Sequence, residues 1–511
     1  MLVKVYGSAI IGINAITITV EVSIDIGVQF FLVGLPDSAI KESHQRIESA
    51  FKQAGYKFPG KKIVINMAPA DIKKVGSAYD LPLAIGILAA SEQVLSDEIG
   101  DYVIMGELSL DGSVSAVKGV LPMTIEAKRK GFKGIIIPNA NAEEAAVVGG
   151  IDVYGVDSIS DVVRHFNKSS ILTPVVIDVN SFFNEKADYS KYDFSDVKGQ
   201  ESIKRALEVA AAGGHNIMMI GAPGSGKTML AKRLPSILPQ LTIDESLETT
   251  KIHSVAGTLR GKSIITSRPF RAPHHTISDA GLVGGGSFPQ PGEISLAHNG
   301  VLFLDELPEF RRSSLEVMRQ PLEDNVVTIS RAKSSTTFPA NFMLVAAMNP
   351  CPCGYYNHPD IPCLCPNGAV QKYLNKISGP LLDRIDIHIE VVPVPFKELS
   401  NMDRGESSET IRKRVVNARA VQTERYKKYP GLHSNADLTV KLLDVYCKLD
   451  ENCLRILKNS MEKLNLSARA YSRIIKVART IADLDGSPDI QTYHLSEAIN
   501  YRSLDRDSWG R

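Results

Sequence analysis

One segment of eight residues near the middle of the chain limits what the chain can fold into more than any other feature. It matches the pattern Gly-x-x-x-x-Gly-Lys-Ser/Thr, and its residues are Gly221, Ala222, Pro223, Gly224, Ser225, Gly226, Lys227 and Thr228. An apolar run at 217–220 precedes the segment and a run with helical spacing follows it, which predicts a strand, a loop and a helix in this order. Such a loop curls its backbone N–H groups around phosphate oxygens, with Lys227 near the β- and γ-phosphates of a nucleotide and Thr228 on Mg²⁺.

Two later apolar runs end in polar residues that suit the hydrolysis of a nucleotide. Residues 301–304 are followed by Asp305 and Glu306, and residues 342–347 are followed closely by Asn349. An acid at the end of a buried strand can hold Mg²⁺ through water, and the next acid can polarise the attacking water. Asn349 could orient that water, or it could be a turn residue before a proline.

An arginine further along the chain has two interpretations. Arg384 lies between a helical turn and a strand pattern at 385–389. There it could reach the γ-phosphate held by a neighbouring subunit, or it could form a surface salt bridge with Asp383 or Asp386. The residues alone leave both interpretations open.

Composition limits the class of protein. With 511 residues, of which 44% are hydrophobic and 23% charged, the chain is too long for one core and should fold into several domains. Lys and Arg number 58 against 57 Asp and Glu, which argues against a uniformly basic binder but leaves room for a local basic patch. We find no apolar run long enough to span a bilayer. The first 22 residues alternate like a strand and lack the basic start of a signal peptide, so we expect a cytoplasmic protein.

The pattern of apolar residues predicts an α/β protein with a helical C-terminal region. Residues 1–167 mix short alternating strands with helical segments, and residues 168–195 form a polar linker. A second α/β block at 196–396 contains the phosphate loop. Residues 397–511 are then almost wholly helical in pattern, as in a helical lid.

Four of the six cysteines crowd into a short insertion at 351–365. They form two Cys-x-Cys pairs separated by nine residues, and they are Cys351, Cys353, Cys363 and Cys365. Four thiolates this close could hold a structural Zn²⁺ in a tetrahedron, with His358 as an alternative ligand. The Cys-x-Cys spacing is less common than Cys-x₂-Cys, and four reduced thiols without a metal are the alternative.

Two basic segments could contact nucleic acid phosphates without reading bases. The first, at 253–276, has basic side chains at Arg260, Lys262, Arg268, Arg271, His274 and His275. The second, at 326–338, has strand-like flanks around Arg331 and Lys333. Solvated loops are the alternative interpretation for both.

These elements, in this order, resemble the AAA+ ATPases, in the branch shared by magnesium chelatase and the MCM helicases. Within that branch the chain resembles in particular the YifB/ComM family of competence-associated, magnesium chelatase-like proteins. The resemblance covers essentially the whole chain, and its most specific segments are 268–276, 291–300, 349–354, 381–386 and 466–471.

The resemblance implies roles for single residues. Lys227 and Thr228 correspond to Walker A and Asp305 and Glu306 to Walker B, while Asn349 corresponds to sensor 1, Arg384 to an arginine finger acting in the next subunit, and Arg469 to sensor 2. ATP and Mg²⁺ are the implied cofactors and a homohexameric ring is the implied assembly. The implied activity is a helicase that promotes branch migration in natural transformation, with single-stranded or branched DNA and recombination proteins as partners.

The N-terminal α/β region resembles the Lon-protease-like, ribosomal S5 domain 2-like fold. In the proteases a serine and a lysine form a dyad, but Ala78 and Leu121 stand at those positions here. Alanine is no nucleophile and leucine is no base, so we expect a non-proteolytic domain. A shifted dyad of Ser77 and Lys118 is the disfavoured alternative.

Two further functions share the same motifs. A chelatase-type motor that remodels a protein partner would need the same nucleotide chemistry, so the Walker motifs do not separate it from a DNA motor. An ATP-switched scaffold is disfavoured because Glu306, Asn349 and Arg384 are all present, and a switch need not keep a hydrolytic set.

Overall fold

The computed structural model describes residues 2–184, 192–259, 261–286, 288–331, 334–394, 405–429, 431–464 and 466–502. The chain forms two compact units. The first comprises Met1–Lys186 together with Ile243–Thr266, and the second comprises Ala187–Thr242 together with Ser267–Arg511. Residues 243–266 follow the phosphate loop in sequence and were assigned with it at 196–396, but they belong to the first unit.

The first unit is built on a seven-stranded sheet in the order β3-β4-β2-β1-β5-β8-β9. The strands are β1 (Leu2–Ile11), β2 (Asn14–Asp25), β3 (Phe30–Val33), β4 (Lys62–Ala68), β5 (Tyr102–Ile104), β6 (Glu107–Leu108), β7 (Val114–Ser115), β8 (Gly134–Pro138) and β9 (Asp152–Val156). The alternation at the start of the chain forms an antiparallel hairpin of β1 and β2, in which Ile11 pairs with Asn14 across a two-residue turn. β6 and β7 form a separate two-stranded ribbon.

Helices cover this sheet, and one of them comes from the distant segment 243–266. The helices are Ser38–Lys41, Ser43–Ala54, Asp80–Ala90, Val120–Lys130, Ala142–Ala146, Ile159–Phe166, Val179–Asn184 and Ile243–Ala256. Ser254 Oγ donates a hydrogen bond of 2.5 Å to the Glu144 carboxylate, and Ser263 Oγ donates one of 2.7 Å to Glu143. These bonds satisfy the carboxylates and attach the segment to the first unit.

The predicted linker at 168–195 is partly attached to the first unit. The backbone N–H of Val175 donates to the carbonyl of Val153 at 2.8 Å. Leu172, Val175 and Ile177 pack against the core of that unit. The polar composition of this segment therefore did not indicate that three of its apolar side chains pack on the first unit.

The second unit contains a five-stranded, wholly parallel sheet in the order β11-β14-β17-β10-β18. The strands of the unit are β10 (Ile217–Gly221), β11 (Phe270–Arg271), β12 (Gly284–Gly285), β13 (Gln290–Pro291), β14 (Val301–Leu304), β15 (Val326–Arg331), β16 (Ser334–Pro339), β17 (Met343–Met348) and β18 (Ile387–Val391). β10, β14 and β17 are buried throughout, which explains their continuous apolar runs. β12–β13 and β15–β16 are separate antiparallel pairs.

Short helices connect these strands, and longer ones form the C-terminal region. Around the sheet lie Glu201–Gly213, Lys227–Arg233, Asp279–Val283, Glu293–Leu296, Arg312–Glu316, Arg319–Asp324, Ala369–Leu374 and Gly379–Leu382. The C-terminal helices are Ser408–Tyr426, Val440–Tyr446, Glu451–Leu464, Ala468–Leu484 and Thr492–Asn500. Their buried apolar side chains share one core with those of the sheet. The predicted α/β class with a helical C-terminal region is thus confirmed.

A buried ionic cluster joins the sheet to the C-terminal helices. Arg473 donates to Asp386 Oδ1 at 2.5 Å, and His215 Nδ1 lies 3.0 Å from Asp386 Oδ2. The other ring nitrogen of His215 lies 2.7 Å from the Thr480 hydroxyl. Burial alone would raise the pKa of Asp386, but Arg473 and the hydrogen bond with His215 outweigh it and hold that pKa well below its ordinary value.

We expect Asp386→Asn to destabilise the second unit by about 3 kcal/mol, because it leaves the Arg473 charge without its partner. Since the pKa of Asp386 is lowered by folding, its ion pairs stabilise the fold fully above pH ~4 and are lost as the pH falls further. Urea denaturation at neutral and at acid pH measures this. The difference in free energy of unfolding between wild type and Asp386→Asn should become smaller at acid pH. Asp489 is exposed, so Asp489→Asn should have the wild-type free energy of unfolding at both pH values.

Candidate active site

The phosphate loop lies where the parallel sheet brings its strand ends together. β10 ends at Gly221, β14 ends just before Asp305 and β17 ends just before Asn349. Because these three strands are parallel neighbours, their carboxyl ends meet at one edge, which is where ligands bind in open α/β sheets. Gly226 has φ +93°, a left-handed conformation that lets the loop turn directly into the helix Lys227–Arg233.

Lys227 is held by neutral oxygens at this edge. Its Nζ donates to the carbonyls of Gly221 at 2.7 Å and Ala222 at 3.0 Å, and to Asn349 Oδ1 at 3.2 Å. Burial lowers the pKa of the Lys227 ammonium from its ordinary value, and the charge of Asp305 opposes this. The structure therefore brings Lys227 and Asn349 together, as the sequence predicts for a group that meets the γ-phosphate.

The residues proposed for Mg²⁺ also touch each other. Thr228 Oγ1 donates to Asp305 Oδ2 at 2.6 Å, and the backbone N–H of Glu306 donates to Asp305 Oδ1 at 2.9 Å. A hydroxyl and a carboxylate are hard oxygen ligands of the kind that Mg²⁺ prefers beside nucleotide phosphates. The donor set thus fits the ion.

Glu306 carries the least regular backbone of the site. Its φ is +53°, which is uncommon for a residue with a side chain and is found more often at functional positions. Its carboxylate oxygen Oε2 lies 3.1 Å from His275 Nδ1. A cavity of about 390 Å³ opens beside it, lined by Glu306, Glu309, Asn349, Pro352, Ala369, Lys372, Tyr373 and Lys376.

His275 is a site residue that the sequence reasoning placed elsewhere. The sequence grouped it with residues for nucleic acid contact, but the structure puts it against Glu306. Its ring also packs on His274, with centroids 4.1 Å apart. The reason lies in the sheet: the segment follows β11, and β11 pairs in parallel with β14, so both strands end at the same edge.

Other members of the first basic segment have partners inside the protein. Arg271 donates to both carboxylate oxygens of Glu293 at 2.6 Å. Arg268 donates to the carbonyls of Pro239 at 2.7 Å and Asn299 at 2.8 Å. Lys262 belongs to the first unit. The contact of this segment with nucleic acid stays a prediction, in which Arg268 and Arg271 would have to keep or exchange these internal partners; Arg260 lies outside the described residues.

The second basic segment is a hairpin of β15 and β16. Val327, Ile329 and Phe338 are buried at its base, and Val326 pairs with Pro339. Lys333 and the side chain of Arg331 lie outside the described residues. The predicted strand-like flanks are confirmed, and the contact with nucleic acid stays a prediction.

Arg384 and Arg469 contact residues other than those around Lys227. Arg384 is buried and donates to the carbonyl of Pro380 and to the Glu323 carboxylate, not to the Asp383 or Asp386 side chains. Arg469 is largely exposed, with one nitrogen 3.6 Å from Asp383. Within the described part of the chain, the hydrogen bonds and ion pairs of both arginines do not include the phosphate loop.

The four cysteines of the insertion form one cluster, and we call residues 351–365 the cysteine knuckle. The Sγ atoms lie within 4.8 Å of one another, with separations of 3.3 Å (Cys351 to Cys353), 3.5 Å (Cys353 to Cys363) and 3.7 Å (Cys351 to Cys363). A zinc tetrahedron with Zn–S bonds near 2.3 Å has edges of about 3.8 Å, so these spacings are close to those of a four-thiolate site. His358 is outside the cluster, and its Nδ1 accepts backbone N–H groups instead.

The thiols of the cysteine knuckle differ in acidity. Burial would raise the pKa of Cys353, but backbone N–H groups and hydrogen bonds from neighbouring thiols outweigh it and lower that pKa to about 6. Burial and the adjacent thiols raise the pKa of Cys365 to about 12. The Cys353 thiolate therefore forms readily, whereas Cys365 resists adding a second negative charge unless a cation is present.

Two features bear on the predictions for the N-terminal region and for membranes. Leu121 is buried in its helix, and Ala78 is half-buried in a short turn at Ser77–Tyr79. The absence of a protease dyad stays a prediction. Among the described residues, none of the helices combines the length and the apolar character needed to cross a bilayer.

Comparison with known protein families gives three matches in chain order. The family described as "Subunit ChlI of Mg-chelatase" matches residues 20–141. "Magnesium chelatase, subunit ChlI" matches residues 193–399, which include the phosphate loop and the cysteine knuckle. "Magnesium chelatase, subunit ChlI C-terminal" matches residues 405–502, the helical region.

Comparison with curated proteins gives relatives along almost the whole chain. Competence protein ComM of Haemophilus influenzae is 44% identical over 510 residues, which cover 98% of this chain and 97% of the relative. The uncharacterized protein YifB of Escherichia coli is 43% identical over 507 residues, with coverage of 98% and 97%. DNA replication licensing factor mcm7 of Schizosaccharomyces pombe is 22% identical over 412 residues, covering 74% of this chain and 50% of the relative.

The contact between His275 and Glu306 gives a prediction. If Glu306 polarises the attacking water, as the sequence predicts, we expect His275→Ala to lower kcat for ATP hydrolysis about tenfold with KM for ATP unchanged, because the imidazole beside the carboxylate would orient it. Steady-state kinetics with Glu306→Gln as the zero reference measure this. His275→Asn, which keeps an amide donor, should recover part of the loss. A raised KM at constant kcat would instead mean that His275 acts on nucleotide binding.

Proposed function

Because this chain belongs to the YifB/ComM family of magnesium chelatase-like ATPases, we propose that it is a ring-forming motor that hydrolyses ATP to move DNA. The finer activity is that of a helicase driving branch migration in recombination or natural transformation, in the cytoplasm. The observation that carries the proposal is that the residues expected to act in hydrolysis form two groups with separate contacts. The water-polarising and phosphate-binding groups meet around Lys227, whereas Arg384 and Arg469 contact other residues.

In the proposed cycle each side chain of the site has one task. The phosphate loop binds the triphosphate through backbone N–H groups, and Lys227 turns from the carbonyls of Gly221 and Ala222 to the β- and γ-phosphates. Thr228 and Asp305 would hold Mg²⁺, which when bound supplies positive charge to the β- and γ-phosphate oxygens. Glu306 accepts a hydrogen bond from the attacking water, and Asn349 keeps that water in line.

Arg384 supports the proposal of a ring. A guanidinium that stabilises the γ-phosphate during hydrolysis acts in many such enzymes from a neighbouring molecule. Arg469 is exposed and lies 3.6 Å from Asp383, the residue that precedes Arg384 in the chain. Arg384 itself is buried, so it would have to leave its present partners to reach a neighbour. Here Arg384 is paired with Glu323, which it would leave on reaching the neighbour's phosphate.

That same pair offers a route from hydrolysis to DNA. Glu323 belongs to the helix Arg319–Asp324, which leads into the β15–β16 hairpin after a single residue. The hairpin is inserted between β14 and β17, the strands that end at Glu306 and Asn349. Movement of Arg384 away from Glu323 would therefore change the support of a hairpin whose basic tip is proposed to hold DNA phosphates.

The proposed occupant of the cysteine knuckle is a structural Zn²⁺. Four thiolates at near-tetrahedral spacing favour zinc over Mg²⁺ or Ca²⁺, which prefer oxygen. Four protein thiolates would fill a tetrahedral coordination sphere, so a structural role is proposed rather than a catalytic one.

A protein-remodelling motor is the second candidate. The observation that favours it is that the three matching families are all described as magnesium chelatase subunit regions. It would use the same ATP site with a protein partner in place of DNA.

The test between the two motors is the ATPase rate with single-stranded DNA, branched DNA, or heparin as a polyanion control. For a DNA motor we expect DNA to stimulate the rate several-fold at low salt, and the stimulation to fade between about 50 and 200 mM salt as counterions compete for phosphate contacts. Glu306→Gln sets the background. If DNA does not change the ATPase rate, or if heparin raises the rate as much as DNA does, the protein-remodelling motor becomes the better assignment.

Arg384 gives a separate prediction for the ring. Arg384→Ala and Lys227→Ala should each abolish ATPase activity, the first without loss of nucleotide binding. When the two variants are mixed before assembly, about a quarter of the interfaces should combine an intact Lys227 with an intact Arg384 from the neighbour, and activity should return in proportion. No recovery in mixed rings, shown to be mixed by affinity tags, would place the action of Arg384 within its own subunit.

A further inference from the structure

The cysteine knuckle begins where the catalytic strand β17 ends. Only Pro350 separates Asn349, which hydrogen-bonds Lys227, from Cys351. Cys351 is fully buried, and its Sγ accepts the backbone N–H of Tyr356 at 3.3 Å. A shift of this thiol therefore moves the chain two residues from a group that contacts the phosphate-binding lysine.

The knuckle also touches the phosphate loop directly. Gly354 has φ +87°, and a Cβ added there would lie 2.5 Å from Pro223 Cδ and 2.7 Å from Pro223 Cγ. Both distances are too short for any side chain, so only a glycine lets the knuckle backbone pack on this proline. The turn is closed by a hydrogen bond of 3.0 Å from the Gly354 N–H to the Cys351 carbonyl.

A third contact faces the catalytic cavity. Pro352, which lies between the first two cysteines, lines the cavity together with Glu306, Asn349 and Tyr373. The segment Cys351–Gly354 therefore supports Pro223 on one side and forms part of the cavity wall on the other. The conformation of this segment therefore affects both the phosphate loop and the catalytic cavity.

This turn is short of other internal constraints. Within the described residues it contains no helix or strand, and its cysteines are free thiols rather than disulfides. The four Sγ atoms nevertheless lie within 4.8 Å of one another. A metal bound by all four would tie the turn to Cys363 and Cys365 and remove its freedom to move.

We propose that a zinc ion held by Cys351, Cys353, Cys363 and Cys365 fixes the turn Cys351–Gly354 against Pro223, and so sets the affinity of the phosphate loop for nucleotide. The inference rests on the proposed ATP chemistry, but it assigns the metal a further task. The ion acts on nucleotide binding through packing, without touching the nucleotide. Metal content and nucleotide affinity should therefore change together when a thiol is lost.

The metal half of the proposal is tested with the intact chain. Wild-type protein should contain one zinc per chain by elemental analysis, and Cys353→Ser together with Cys365→Ser should abolish it. The same double variant should bind a fluorescent ADP analogue about tenfold more weakly, because a displaced phosphate loop loses aligned N–H donors. Removing zinc from wild type with a mercurial and a chelator should weaken binding equally, and added Zn²⁺ should restore it.

The packing half is tested by Gly354→Ala, which keeps all four thiols. We expect it to retain zinc but to bind the ADP analogue about tenfold more weakly, since the new methyl group displaces Pro223. Gly368→Ala is the matched control, because Gly368 has a similar φ of +79° and a Cβ there meets no described atom within 4 Å. Both variants impose the same left-handed alanine, so their difference isolates the contact with Pro223.

The outcomes separate this inference from the proposed function. If Gly354→Ala and Gly368→Ala bind nucleotide alike, or if zinc-free protein binds as tightly as loaded protein, the inference is wrong although the ATPase proposal stands. If wild type itself binds no better than Lys227→Ala, the proposed nucleotide site fails. Thermal unfolding of each variant excludes misfolding as the cause; we expect a single cooperative transition for both glycine variants, with a small fall in midpoint because each imposes a left-handed alanine.

Discussion

The parallel pairing of β10, β14 and β17 is the constraint on which the second unit depends. Met219 pairs with Ala347 and Leu304 with Ala346, so the strands stop within one or two residues of each other. Two hydrogen bonds then cross this edge, from Thr228 to Asp305 and from Lys227 to Asn349. Backbone register, rather than the loops themselves, therefore determines which side chains can cooperate on a phosphate.

Much of this edge could be predicted from the sequence, because each strand is a continuous apolar run followed by a polar residue. That pattern placed Lys227, Thr228, Asp305, Glu306 and Asn349 correctly at strand or loop ends. It works since a buried parallel strand has no polar face, and its end is marked by the first polar residue. The cluster of the four cysteines could also be predicted, because all four lie within 15 residues of one another in the sequence.

Residues far apart in sequence were harder to assign. Arg271 and His275 were grouped by charge, but their partners Glu293 and Glu306 are 22 and 31 positions away, and no local pattern announces such pairs. Gly354 was marked only as part of the segment 349–354 that carries the family resemblance, and nothing in the sequence indicates its contact with Pro223. Composition identifies a basic segment, but whether its charges face solvent or an internal carboxylate depends on the tertiary fold.

The helix Ile243–Ala256 has a consequence for how the two units can be separated. The chain leaves the second unit after Thr242 and returns at Ser267, so the peptide backbone passes between the units at three points. A protein shortened at residue 187 would still carry this helix, but Ser254 and Ser263 would have lost Glu144 and Glu143. The first unit is therefore assembled from two separate stretches of the chain, and a version expressed alone would need residues 243–266 joined to residues 1–186.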